Sequence, residues 1–85
     1  MTFTYDPEAD ALYVALRAGN VGRTVIVDED RTIDLDLNDV PIGIEVIGAS
    51  HGVKLEDLVE PFGLQRFRDQ LRDIEQTTFR AAAWT

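Results

Sequence analysis

The chain has 85 residues, no cysteine, and 16 acidic residues against 8 basic ones, which gives a formal net charge of −8. The lack of cysteine excludes disulfides and thiolate metal sites, and the negative charge argues against a nucleic-acid backbone or an anionic membrane surface as the main partner. The length predicts one domain, residues 1–85, small enough that forming a homodimer would enlarge its core.

Alternating apolar and polar residues in the first half of the chain predict the strands of a sheet. A polar turn at 6–10, which contains Pro7 and three acids, separates the first strand from the second. A glycine-containing loop at 18–22 follows, and a β-branched stretch then forms the third strand. The predicted strands cover residues 2–5, 11–17, 24–28, 32–37 and 42–46.

The last two predicted strands can be registered against each other, because both alternate strictly. A four-residue turn at 38–41 joins them, and a slip of one residue would remove every apolar pair from the inner side. The inward pairs in this register are Leu37 with Ile42, Leu35 with Ile44, and Ile33 with Val46.

Three acids on the outer side of this hairpin are the candidates for a ligand site. The register sets Asp34 directly opposite Glu45, with Asp36 next on the same side. Like charges at facing positions destabilise a strand pair by a term on the scale of about 0.2–1 kcal/mol. Solvation or a neighbouring arginine is the preferred explanation, so no metal or cofactor is predicted. The alternative is a cation or small-ligand site formed by Asp34, Asp36 and Glu45.

The pattern becomes helical in the C-terminal extension, residues 51–85. A short helix at 54–59 is ended by Pro61, and a longer amphipathic helix runs from 64 to about 76. This helix either closes the core or recognises a partner, and we favour a docked stripe with an exposed tail at 79–85. The apolar stripe consists of Leu64, Phe67, Leu71 and Ile74.

Catalytic residue types are scarce in this chain. His51 is the only histidine and Ser50 the only serine, and they are adjacent in a loop bounded by glycines. Neighbouring side chains on an extended chain point in opposite directions, so these two do not easily form a nucleophile–base pair. We therefore predict no catalytic residues and expect that the protein is not an enzyme.

The sheet face opposite the predicted core carries apolar residues among its polar ones, and the C-terminal tail carries two aromatic residues. Apolar residues in such positions indicate that a second subunit, another protein or the chain's own tail covers them. The candidate partner-binding residues are Tyr13, Ile26, Ile47, Phe79 and Trp84.

Three segments resemble the family called domain of unknown function 2283, over about residues 3–50. They are the motif Tyr5-Asp6-Pro7-Glu8-Ala9-Asp10-Ala11-Leu12-Tyr13-Val14, the stretch from Val25 to Asp36, and Gly43-Ile44-Glu45-Val46-Ile47-Gly48-Ala49-Ser50. The turn before the last strand, Asn38-Asp39-Val40-Pro41, departs from the family's usual acidic-glycine turn. The resemblance implies a small, mostly bacterial, β-rich domain without assigned catalytic residues. It also suggests a gene neighbourhood with toxin-like proteins.

These observations together predict an α+β protein: an antiparallel β-meander of about five strands (residues 1–50) followed by a short and a longer helix. No apolar run approaches the roughly 20 residues of a membrane span, and no charged and then apolar leader is seen, so a cytoplasmic location is expected. The predicted function is protein–protein interaction, as a homodimer or with another protein, including an antitoxin-like role. A small ligand- or cation-binding domain is the alternative.

Overall fold

The computed structural model describes residues 1–83, and within them five strands come before three short 3-10 turns and one α-helix. The predicted α+β class and the five-stranded antiparallel sheet are confirmed. No helix in this part of the chain is long and apolar enough to cross a membrane. The elements are β1 (Thr2–Asp6), β2 (Ala11–Ala15), β3 (Arg23–Ile26), β4 (Arg31–Leu35), β5 (Pro41–Ile47), the 3-10 turns Ala49–His51, Glu56–Leu58 and Gln65–Phe67, and α1 (Arg68–Glu75).

The strand order is β1-β2-β5-β4-β3, so the prediction of a simple meander is wrong in one connection. Strand β2 does not lie beside β3 but pairs antiparallel with β5. This arrangement places the long seven-residue β5 at the centre of the sheet, where Ile44 and Val46 are buried against Leu12 and Val14 of β2. The shorter β3 is left at an edge.

The register between β4 and β5 differs from the predicted one by two residues. Ile33 faces Ile44 and not Val46, and a bulge after Asp34 ends the regular pairing. Because the shift is even, the predicted inward side chains up to Leu35 in β4 and those of β5 still point inward. Leu37, predicted to point inward, is 82% exposed.

Asp36 is the physical reason for this shift. Its carboxylate accepts hydrogen bonds from the backbone N–H groups of Asn38 and Val40, at 2.8 and 2.9 Å. The turn therefore begins at Asp36, before the predicted strand is complete, because its own side chain offers the backbone a local alternative to the strand ladder. Asp39 completes the turn with a φ of 62°.

The helical half covers one face of the sheet, here called the inner face. The stripe of Leu64, Phe67, Leu71 and Ile74 is buried there, as expected for docking against the core. The regular α-helix is shorter than predicted, since the residues at 65–67 form a 3-10 turn. The Glu75 carboxylate accepts the N–H groups of Leu55 and Glu56 at the start of the 3-10 turn Glu56–Leu58, which holds α1 against that turn.

Arg31, which lies between two of the predicted strands, connects the helical half to the sheet. Its guanidinium is buried and donates to both carboxylate oxygens of Asp57, at 2.7 and 2.9 Å, and to one oxygen of Asp28. A further bond reaches the Lys54 carbonyl at 2.9 Å. These hydrogen bonds hold the pKa of Asp57 and that of Asp28 below the usual value.

The tail behind α1 is partly docked, so the predicted exposure of Phe79 is wrong. The Phe79 ring is only 7% exposed and packs on the inner face, with its centroid 4.9 Å from that of Tyr5 and 6.0 Å from that of Phe3. Further on, the Ala82 N–H donates to the Pro7 carbonyl. Phe79 is held by packing on the two aromatic rings of β1, and the sequence around it has no helical periodicity that would predict its burial.

Candidate functional site

The second face of the sheet, here called the outer face, has no helical element packed on it within the described residues. The helices and turns contribute core residues only on the inner face. The strand residues that alternate with the outer-face residues point to that side. The outer face consists of Thr2, Thr4 and Asp6 of β1, Ala11, Tyr13 and Ala15 of β2, Thr24 and Ile26 of β3, Thr32 and Asp34 of β4, and Gly43, Glu45 and Ile47 of β5.

A hydrogen-bonded network crosses the outer face. The phenol of Tyr13 donates to Asp34 Oδ2 at 2.9 Å, and the Thr24 hydroxyl donates to Asp34 Oδ1 at 2.7 Å. Strand β5 lies between β2 and β4, so the Tyr13 side chain passes over it at Gly43. A Cβ atom at Gly43 would lie 1.8 Å from the phenol oxygen, so a side chain at this position would displace the phenol.

The surroundings of the Tyr13 phenol make it harder to ionise than a free phenol. Burial, followed by the hydrogen bond to Asp34 and the charges of Asp34 and Glu45, raises the pKa of Tyr13 to about 12. Tyr13 is therefore a neutral donor at ordinary pH and not a base. The network holds polar atoms of three strands in place on a flat surface.

The structure does not bring the three candidate acids together as the sequence suggested. Asp34 lies opposite Gly43, and Glu45 lies opposite Thr32, so the predicted opposition of Asp34 and Glu45 is wrong. Asp34 uses both oxygens in the network, and Asp36 uses its carboxylate to form a turn. Within residues 1–83 no group of three His, Cys, Asp or Glu side chains is arranged to hold a metal ion.

The five candidate partner-binding residues have three different outcomes. Ile26 and Ile47 are on the outer face and are 78% and 44% exposed. Tyr13 is on the same face, in strand β2 between β1 and β5, and its side chain is half-buried in the network. Phe79 is buried in the inner core, where it is only 7% exposed. Trp84 lies outside the described residues.

Asp10 is a structural centre that sequence reasoning did not find. It has a left-handed φ of 50°, and its carboxylate accepts the Tyr5 hydroxyl at 2.6 Å, the Ser50 hydroxyl at 2.6 Å and the Ser50 N–H at 2.9 Å. Its backbone carbonyl also accepts the N–H groups of Gly48 and Ala49. These bonds, chiefly those from Ser50 and Tyr5, lower the pKa of Asp10.

A family model, described as Protein of unknown function (DUF2283), matches residues 2–50, which is more than half of the chain. The chain belongs to this DUF2283 family. Neither the comparison with curated proteins nor the comparison with solved structures gave a match.

The DUF2283 segment contains the whole sheet and ends at Ser50, a residue that helps to hold the fold together. Ser50, its last matched residue, donates to the carboxylate of Asp10, which lies forty residues earlier at the end of the first turn. The Asp10 bonds therefore join the beginning and the end of the matched segment. All outer-face residues lie within this segment, whereas the helices that cover the inner face follow it.

A polar depression on the helical side of the DUF2283 protein is a weaker candidate site. Three of its four charged lining groups are already paired, because Asp57 pairs with Arg31 and Glu56 lies 3.2 Å from Arg68, and the fourth, Glu60, is exposed to solvent. The outer face is different, since its exposed apolar groups have no covering element among the described residues.

Proposed function

We propose that this DUF2283 protein is a non-enzymatic protein-binding module whose outer face binds a partner protein. The observation that carries the proposal is the one-sided covering of the sheet. Ile26 and Ile47 remain exposed on the outer face, while the helical half and Phe79 pack on the inner face. Exposed apolar groups on a polar, well-ordered surface are typical of interaction sites.

The outer face also has the shape and rigidity that binding requires. Most of its side chains are short, namely threonine, alanine and glycine, so a second surface can approach the backbone closely. The Tyr13–Asp34–Thr24 network holds the side chains of Tyr13 and Asp34 in one arrangement, so these two lose little conformational entropy when a partner covers them.

The chemistry of the polar side chains supports a binding role over catalysis. The Ser50 hydroxyl donates its hydrogen to Asp10 and helps to hold the fold, and the adjacent His51 side chain is exposed. Tyr13 remains protonated at ordinary pH. The hydroxyls of Ser50 and Tyr13 are thus each donated to a carboxylate that holds the fold or the outer face together, and this favours a structural role for both.

The test is purification of tagged protein at native level from its own host, followed by native mass spectrometry. We expect a partner in defined stoichiometry with the parent chain, and its loss from the double variant Ile26→Ser/Ile47→Ser. The control Val21→Ser/Leu37→Ser removes two apolar side chains of comparable exposure outside the strands and should retain the partner. Equal retention by both variants would remove the outer face as the binding surface.

The homodimer, the cytoplasmic location and the antitoxin-like role remain predictions. Light scattering after gel filtration measures the oligomeric state directly. A dimer that persists in the Ile26→Ser/Ile47→Ser variant would have its contact elsewhere, for example at the free edge strand β1.

A further inference from the structure

Glu45 occupies the centre of the outer face. It lies on the middle strand β5, in a row of directly facing residues that runs across all five strands. Its side chain is exposed, and within the described residues it has neither a hydrogen bond nor an ion pair. The complete row is Thr4, Tyr13, Glu45, Thr32 and Ile26.

The charges around Glu45 are all of one sign. The outward-facing strand residues include Asp6, Asp34 and Glu45 but no lysine or arginine. Asp34 has both oxygens occupied by hydroxyl donors, and Asp6, at the end of an edge strand, accepts the N–H groups of its own turn. Glu45 is therefore the one carboxylate among these residues with neither oxygen in a hydrogen bond, and its whole charge faces solvent.

A protein that covers the outer face must compensate this charge. A carboxylate that is taken out of water without a cationic partner is strongly unfavourable, and the hydroxyl of Tyr13 is already donated to Asp34. A second copy of this chain brings the same face, with another Glu45 and no base. The symmetry of a two-sheet homodimer would thus place uncompensated carboxylates at its centre.

We propose that the outer face binds a basic protein surface that places an arginine against Glu45, an inference that rests on the proposed function. Arginine fits better than lysine, because its planar guanidinium forms two parallel hydrogen bonds to a carboxylate and is weakly hydrated. Apolar groups that flank this arginine contact Ile26 and Ile47. The net charge of −8 attracts such a partner from a distance and speeds its association.

The experiment is a nuclear magnetic resonance titration of the full isotope-labelled chain with a valine-arginine-valine peptide blocked at both ends. A peptide with citrulline in place of arginine has the same shape without the charge, and sodium chloride keeps the ionic strength equal. We expect arginine-dependent shifts concentrated at the Glu45 carboxyl and the amides of Thr32 and Tyr13. They should be at least threefold larger than those with citrulline.

The variant Glu45→Gln should abolish these shifts, whereas Glu29→Gln, an exposed acid in the turn between β3 and β4, should leave them unchanged. Parent-like spectra of both variants establish that the fold is intact. Shifts spread evenly over the exposed acids, or equal shifts with citrulline, would overturn the inference. A homodimer that the Ile26→Ser/Ile47→Ser substitution dissociates would overturn it as well.

Affinity measurements on the native complex test this inference separately from the proposed function on which it rests. We expect Glu45→Gln to weaken the purified complex at least tenfold and Glu29→Gln to leave its affinity unchanged. A complex that is lost in the Ile26→Ser/Ile47→Ser variant but unaffected by Glu45→Gln would refute the arginine anchor and leave the binding face intact. If no complex forms, the proposed function fails.

Discussion

The phenol of Tyr13 donates a hydrogen bond of 2.9 Å to Asp34 across an intervening strand, at the position of Gly43. This contact joins β2 to β4 without a shared backbone ladder. It holds the polar groups of the outer face in a defined arrangement. Because the phenol occupies the space that a side chain at Gly43 would need, a substitution of Gly43 tests the contact.

Gly43→Ala should destabilise the protein by about 1–3 kcal/mol, because the new methyl group overlaps the Tyr13 ring and displaces it. Urea unfolding gives the free energy of unfolding. In a Tyr13→Ala background the same substitution should cost little, since the ring is gone and alanine suits a strand better than glycine. Equal costs in the two backgrounds would mean that the backbone, and not the phenol, requires glycine.

Arg31→Lys should cost about 1–3 kcal/mol of unfolding free energy, because an ammonium group cannot replace the two-sided guanidinium contacts to Asp28 and Asp57. Arg23→Lys is the matched control. Its pair with Asp39 is exposed on both sides, at 60% and 64%, and should change stability by less than about 0.5 kcal/mol. The expectation fails if both lysine variants unfold at the same urea concentration.

Ser50→Ala should cost more stability at neutral pH than in acid. The pKa of Asp10 lies below its ordinary value of 3.8 in the folded state, mainly because of the Ser50 hydroxyl. This stabilisation is complete above the ordinary pKa and is lost as the pH falls through the lower folded-state pKa. Urea unfolding at pH 7 and at about pH 2.5 measures the difference.

Thr77→Ala is the control for this pH dependence. The Thr77 hydroxyl donates to the backbone carbonyl of Asp73, an acceptor that does not titrate. Its removal should therefore cost the same at both pH values. A cost of Ser50→Ala that does not change with pH would show that Asp10 does not carry the effect.

Phe79→Ala should cost about 3–5 kcal/mol, because the ring fills a buried position against Tyr5 and Phe3. Val21→Ala, at a position 54% exposed, should change stability by less than about 0.5 kcal/mol. Amide exchange adds a local measurement. Rapid exchange at Ala82, whose N–H donates to the Pro7 carbonyl, is expected in the Phe79 variant but not in the parent chain.

The candidate site was predictable in part: strand alternation predicted which residues lie on the outer face, but not which of them face each other across strands. The exposure of Ile26 and Ile47 on the second face follows from strand alternation alone. The opposition of Asp34 and Glu45 required a register, and that register depended on where the turn begins. Asp36 ends the strand through its own side chain, and a hydrophobic pattern contains no information about this competition.

The sequence by itself determined the elements and their faces, because period and turn chemistry act between residues that are close along the chain. Leu12 and Val14 point inward, and Leu71 and Ile74 belong to one buried stripe, whatever the strand order is. Only the tertiary structure decided that β2 lies beside β5 and that Ser50 donates to Asp10, forty residues away. It also decided that Arg31 reaches Asp57 and that Phe79 is buried. Such contacts depend on how all elements pack at once, since each becomes favourable only when the others have excluded water around it.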